Sequence, residues 1–197
     1  MKAVVTTFLW IAASLAFVFP SPAGAQSDPK SRAPAPTANA RPLEPGPRGK
    51  LSVVGRVDVG DVAPDFELSG TRGGPVAISR LRGDWVLLVF ARRLAEFDDF
   101  SPVTSRLAEH GVRVFGITRE GPSKLRTHSQ RAAIPFELLA DPTGDVSAIY
   151  GLNDAASAAT RPGYVLIDRR GTVRLAVLGQ SFAATQVAEL VDFTIAN

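Results

Sequence analysis

Apolar and polar residues change places along this chain in short runs with two different periods. Val62-Ala63-Pro64-Asp65-Phe66-Glu67-Leu68 alternates up to Ser69-Gly70, and after Arg72-Gly73-Gly74 the run Pro75-Val76-Ala77-Ile78 begins again. Two short alternating runs around a glycine-rich turn predict a β-hairpin. Ser79 follows as the cap of a turn through Arg82-Gly83. Trp85-Val86-Leu87-Leu88-Val89-Phe90 is then apolar at every position. A strand with no polar face is covered on both sides, so this run predicts a central strand. From Leu94 to His110 the apolar residues Leu94, Phe97, Val103 and Leu107 suit a helix that ends at Gly111, bent or restarted at Ser101-Pro102.

The pattern repeats downstream. Val112 to Thr118 predicts a strand, and Gly121-Pro122-Ser123 opens a helix, with Ser123 as its cap, running toward Ala133 before Pro135. Phe136-Glu137-Leu138-Leu139 predicts a short strand, Asp141 to Asp145 a turn, and Val146 to Tyr150 a brief helix stopped by Gly151. Residues 152–160 form an alanine-rich loop. Tyr164 to Asp168 and Val173 to Leu178, joined by Arg169-Arg170-Gly171, predict an antiparallel hairpin, and Ala183 to Ala196 a final amphipathic helix. Strand-helix alternation closed by a hairpin and a helix predicts an α/β fold: a central mixed sheet with helices on both faces and an N-terminal hairpin extension.

Before this domain the patterning is of another kind. Lys2, an apolar stretch from Ala3 to Phe19, and Ala23-Gly24-Ala25 have the layout of an export signal cleaved after Ala25. The competing reading is an uncleaved membrane anchor, but Pro20 and Pro22 break the apolar stretch near the shortest spanning length. Residues 26–50 hold six of the fifteen prolines and almost no large apolar side chain. Such a segment cannot offset its ordering entropy by burial and reads as a solvated Pro/Ala-rich tether. The chain thus divides into a signal peptide (1–25), a tether (26–50) and one domain (51–197), which is expected in a bacterial periplasm without a stable membrane span.

Charge sharpens this division. The 197 residues carry a formal charge of +3 with a pI near 9.7, yet residues 51–197 hold 16 Lys or Arg against 17 Asp or Glu. The surplus of cations belongs to the tether, so the domain lacks the electrostatic footprint of a nucleic-acid binder. Cysteine is absent altogether. That excludes disulfides, thiolate nucleophiles and cysteine-based metal sites in this chain. His110, at a helix end, and His128, among polar helix residues, are too few ligands for a metal, and no cofactor is expected.

Several segments together resemble the alkyl hydroperoxide reductase and thiol-specific antioxidant group, which includes peroxiredoxins and periplasmic thioredoxin-like oxidoreductases. They are Gly60-x-x-Ala63-Pro64-Asp65-Phe66-x-Leu68, Ile78-Ser79-x-Leu81-x-Gly83-x-Trp85 through Phe90, Gly111-Val112-x-Val114-x-Gly116-Ile117, Phe136-x-Leu138-Leu139-x-Asp141-x-x-Gly144, Tyr150-Gly151, and Pro162-x-x-Val165-Leu166-Ile167-Asp168-x-x-Gly171. The resemblance spans about 135 residues and implies a thioredoxin-like fold. In that family a loop with the reactive cysteine follows the residue equivalent to Phe90. Here Phe90-Ala91-Arg92-Arg93 passes directly into Leu94-Ala95-Glu96-Phe97, and the reactive segment is missing. Serine and threonine hydroxyls do not replace a thiolate in two-electron redox chemistry, so Thr104 and Ser105 read as helix surface.

The remnant of the site is expected around four residues. Pro162 matches the family's cis-proline, and a cis bond there would expose the Arg161 backbone to an extended peptide. Arg161 also neighbours the place of the peroxiredoxin arginine, one residue out of register. Arg92 and Arg93 stand at the carboxyl end of the central strand, where open α/β sheets bind ligands. With Arg161 they form either a pocket for a small anion or, with Glu96, Asp98 and Asp99, a local set of ion pairs. The expected function is a redox-dead, non-catalytic binding or scaffolding module whose partner is an extended peptide or protein near Pro162. The alternatives are an antioxidant peroxidase or thiol-disulfide oxidoreductase, as the resemblance implies, and a small-anion binder.

Overall fold

The computed structural model describes residues 55–154, 156–157 and 159–197. The expected signal peptide (1–25), the tether (26–50) and the first residues of the domain lie outside the described residues. Thirteen elements follow in chain order: β1 (Glu67–Gly70), β2 (Pro75–Ala77), β3 (Trp85–Phe90), α1 (Ser101–Glu109), β4 (Val112–Thr118), α2 (Pro122–Arg131), β5 (Glu137–Ala140), α3 (Asp145–Ile149), β6 (Asn153–Asp154), β7 (Ala159–Thr160), β8 (Gly163–Ile167), β9 (Val173–Leu178) and α4 (Ala184–Ala196). Two 3-10 turns, Ile78–Leu81 and Leu94–Phe100, precede β3 and α1.

Seven strands make one sheet in the order β2-β1-β5-β4-β3-β8-β9, and β6 pairs with β7 in a separate ribbon. The uniformly apolar β3 is central, parallel to β4 and antiparallel to β8. Successive side chains of a strand point to opposite faces, so each inner strand feeds two cores. Leu87 and Val89 join Val112, Val114, Leu166 and residues of α1, α2 and α4 on one face. Val86, Leu88 and Phe90 join Phe115, Ile117, Val165 and Tyr150 on the other, beneath α3 and the segment around Val57 to Phe66. Each fully buried aliphatic or aromatic side chain contributes about 1.5–3 kcal/mol.

Local chemistry explains where the expected elements shift. The first strand starts at Glu67, because Val62 and Ala63 are engaged elsewhere: Val62 bridges Thr172 and the Ala63 N–H donates to the Gly171 carbonyl (2.9 Å). Ser123 does not cap α2. Gly121 holds that position in extended backbone, and Ser123 lies in the first helical turn, its carbonyl accepting from Thr127 Oγ1 (3.0 Å). The long helix expected from Leu94 is a 3-10 turn followed by α1, with Pro102 in its first turn, where a missing N–H costs nothing. Gly111, at φ 73°, ends that helical stretch in a left-handed conformation that favours glycine.

Candidate functional site

The chain leaves β3 where the reactive loop of the resembled family would begin. Ala91 is buried and its N–H donates to the Ile117 carbonyl (3.0 Å), extending the pairing with β4 by one residue. The turn after it is held by Glu96, whose carboxylate accepts from the Arg92 N–H (3.2 Å) and from Arg93 Nε (3.2 Å). Phe97 and Phe100 then enter the core. Phe97 lies over Gly116 of β4, where a Cβ would come within 2.6 Å of its ring. Only glycine lets the ring settle against the strand backbone at that distance. Phe97 also meets Phe136 edge to face, with centroids 6.2 Å apart.

Asp98, next along the turn, reaches α2. Its Oδ1 lies 2.8 Å from Nε2 of His128, and Arg131 Nη2 lies 3.4 Å from Nδ1 of the same ring. This arrangement suits Nε2–H donating to Asp98 and Nδ1 accepting from Arg131. His128, expected among polar helix residues, is only 6% exposed. It stands in the polar helix α2 as expected, but α2 turns this position toward the 3-10 turn, and a partner 30 residues away satisfies the ring. The Thr104 hydroxyl is likewise engaged, donating to the Phe100 carbonyl (2.8 Å). His110 Nδ1 meets Asp192 Oδ1 of α4 at 2.7 Å, and Arg106 binds the other oxygen of that carboxylate.

The four expected site residues take different surroundings. Arg93 is ion-paired to Glu96, and both Arg92 and Arg93 are exposed. Arg161 Nη2 donates to the Gly151 carbonyl (2.8 Å), and its side chain lines a groove with residues 56–59 and β9, a lining that does not include Arg92 or Arg93. The expected cis bond is absent: the Arg161–Pro162 peptide is trans. The backbone there is already paired, for the Arg161 N–H donates to the Leu152 carbonyl (2.7 Å) and the Pro162 carbonyl accepts from the Gly179 N–H (2.8 Å). Little of the Arg161 backbone is left for a peptide.

Other residues of the resembling segments prove to be joints of the fold. Tyr150 is fully buried against Phe66 and Phe90 and donates to the Pro64 carbonyl (2.9 Å). Burial, with the Asp65 charge behind it, pushes its phenol above the ordinary value of 10.0. Asp65 accepts from the backbone N–H groups of Ser79 (2.9 Å) and Phe66 (3.0 Å). Hydrogen bonds from Ser79 hold its carboxyl below the usual 3.8. The buried Asp141 accepts from the N–H groups of Val146 (3.3 Å) and Ser147 (2.9 Å) and from Ser147 Oγ (2.8 Å), which in turn lies 3.0 Å from Thr160 Oγ1. Sequence reading missed the Asp141 and His128 networks. The only trace of the first was an acidic residue just before a short helix.

Among the described residues, no three His, Asp or Glu side chains are grouped as a metal site, and no helix is long and apolar enough to cross a membrane. The sequence matches the AhpC/TSA family over residues 59–176. Among similar proteins is a chloroplastic peroxiredoxin Q of Gentiana triflora, 27% identical over 179 residues, covering 85% of this chain and 76% of the relative. A peroxiredoxin of Thermoplasma volcanium is 29% identical over 152 residues, covering 68% and 72%. The crystal structure of peroxidoxin BcpB from Mycobacterium tuberculosis superposes with a TM-score of 0.64 at 23% identity, over 72% of this chain and 97% of that one, and shares its fold. A match that begins in the segment leading to Asp65 and runs into β9, on a thioredoxin-like sheet of the same build, makes this protein a member of the AhpC/TSA family, and one whose sequence contains no cysteine.

Proposed function

We propose that this protein is an exported, non-catalytic member of its family, a binding or scaffolding domain carried on the 26–50 tether in the periplasm. One observation carries the reading. Where the resembled family places its reactive cysteine loop, this chain has a short, internally bonded turn with Phe97 and Phe100 in the core, and there is no cysteine anywhere to supply a thiolate. Peroxide O–O and disulfide S–S bonds yield to a polarizable thiolate, and no other side chain near that turn offers comparable nucleophilicity. The sheet and both cores are nonetheless fully built, which supports selection for a surface rather than for a reaction.

Family membership favours a second reading, redox activity that borrows a partner's cysteines. Purified full-length chain, assayed for hydroperoxide consumption with thioredoxin or dithiothreitol as reductant and for insulin reduction, separates the two. The binding reading expects rates equal to buffer. Turnover that follows the chain through successive purification steps sinks it. For a small anion at Arg92, Arg93 and Arg161, the support is weaker, since Arg93 is paired with Glu96 and Arg161 lines a groove that includes neither Arg92 nor Arg93.

A further inference from the structure

The outer edge of β9 is closed over one part and open over the rest. At its start, the Gly60 N–H donates to the Val173 carbonyl (2.9 Å) and the Val173 N–H to the Asp61 carbonyl (2.8 Å), so the N-terminal segment covers the edge as an added strand would. Upstream, the segment departs. Val57 turns into the core at 2% exposure, and the Gly55 N–H donates to the Ala148 carbonyl (3.2 Å). The divergence leaves a groove of about 590 Å³ between residues 55–59 and the second half of β9. That is the size range of sites that hold small ligands or short peptide segments.

The direction of the strand backbone follows from the ladder. The Gly179 N–H points to the Pro162 carbonyl, and Val177 pairs with Tyr164 two residues along. Residues of an antiparallel strand alternate between facing the partner strand and facing away. Ala176 and Leu178 therefore turn their N–H and C=O groups into the groove, and among the described residues no backbone group pairs with them there. An unpaired strand edge with apolar side chains is a template for one more strand.

We propose that this groove binds an extended peptide segment of a partner protein, added antiparallel or parallel to β9 and carrying an acidic side chain opposite Arg161. The proposal rests on the binding-module reading and moves its docking site from Pro162 to the β9 edge. Charge selects the occupant. Arg56 is neutralised by Asp58 at 3.3 Å. Arg161 donates to a carbonyl and has no carboxylate within ion-pair distance among the described residues; Asp154, whose carboxyl its charge helps to lower, lies beyond that distance and does not line the groove, so the lining carries one cation in excess. Val59, 63% exposed at the groove wall, supplies apolar contact for an alternate side chain. Main-chain bonds would give affinity, and the arginine and valine would give preference.

The test uses the full chain and a fluorescein-labelled hexapeptide of alternating threonine and valine with one central glutamate, read by anisotropy. Saturable binding is expected. Ala176→Pro removes an outward N–H at an edge position where proline is tolerated, and should weaken binding about tenfold or more. Arg161→Gln should weaken the glutamate peptide by about tenfold and leave a glutamine-containing control unchanged. If Ala176→Pro does not fold, hydrogen exchange at Ala176 and Leu178 of the wild-type chain should slow when peptide is added. No anisotropy change up to millimolar protein, or unaltered affinity in both variants, overturns the proposal. So does sedimentation showing a dimer that Ala176→Pro dissolves, which assigns the edge to a second copy, or binding that appears only once residues 26–54 are cut away, which assigns it to the chain's own N-terminal segment. Failure here leaves partner capture at another surface intact, whereas redox turnover would remove the binding-module reading and leave the anisotropy untouched.

Discussion

Tyr150 and Asp65, which meet at Pro64, titrate at opposite ends of the pH scale. Tyr150 donates to the Pro64 carbonyl from a fully buried position, and its phenol is raised above 10.0 in the folded chain. A group raised in the folded state contributes stability that is whole below its unfolded value and is lost as pH rises through the folded one. Asp65, held below 3.8 by Ser79, has the reverse sign: its contribution is whole above that value and is lost as pH falls through its lowered folded value. Stability against urea should therefore decline above about pH 10 in the wild type and more gently in Tyr150→Phe. At the acid end, Asp65→Asn should flatten the decline below about pH 4, by a small amount because the carboxylate is solvent-exposed. Parallel wild-type and variant curves at both ends would dismiss these assignments. Neither role was legible from residue type alone. The alternation marks Ala63-Pro64-Asp65-Phe66 as part of a strand and Tyr150 as the end of a brief helix, and neither pattern joins them, because the bond between them closes over 86 residues.

At the scale of elements, legibility followed the strength of the periodic signal. β3, β4, β9 and α4 lie within a residue or two of where their apolar runs place them, since inner strands such as β3 and β4, a half-buried edge strand and an amphipathic helix each write their burial into sequence directly. The β6–β7 ribbon has two residues in each strand, too short to carry a period, so the sequence there reads as loop. The 3-10 turn from Leu94 to Phe100 shared apolar spacing with a helix, and its true pitch depended on a contact no local pattern encodes, Phe97 against Gly116. That contact makes a defined prediction. Gly116→Ala places a methyl group 2.6 Å from the Phe97 ring and 2.7 Å from Leu138, and should destabilise the domain by about 1–3 kcal/mol. Phe97→Leu alone should cost about 1–2 kcal/mol through lost packing. The double variant should be less destabilised than the sum, with coupling of about 0.5 kcal/mol or more in urea titrations. Strict additivity would mean that the ring does not lean on that glycine.

The whole molecule differs chemically from a thiol-bearing member of its fold in a way that one exposure measures. The chain contains no cysteine, and its single methionine is Met1, so residues 55–197 hold no sulfur at all. Peroxide oxidises proteins first at thiolates and then at thioethers, converting apolar sulfur into polar oxygenated groups that disrupt cores. Neither target exists in this domain. Both cores consist of carbon side chains, with Tyr150 as the hydrogen-bonded polar member of one and Tyr164, bonded to the Phe182 carbonyl at 3.1 Å, of the other. Treatment with millimolar hydrogen peroxide should leave the thermal midpoint unchanged and add no sulfur-bound oxygen to residues 26–197, and dithiothreitol should have no effect on that midpoint either. Intact-mass measurement beside a thermal scan tests both. A midpoint shift of several degrees after peroxide, roughly 1 kcal/mol or more in a domain of this size, would require an oxidisable group that matters to the fold. An unchanged midpoint fits a domain whose stability rests on carbon side chains and on hydrogen bonds such as those of Tyr150 and Tyr164, none of which involves sulfur.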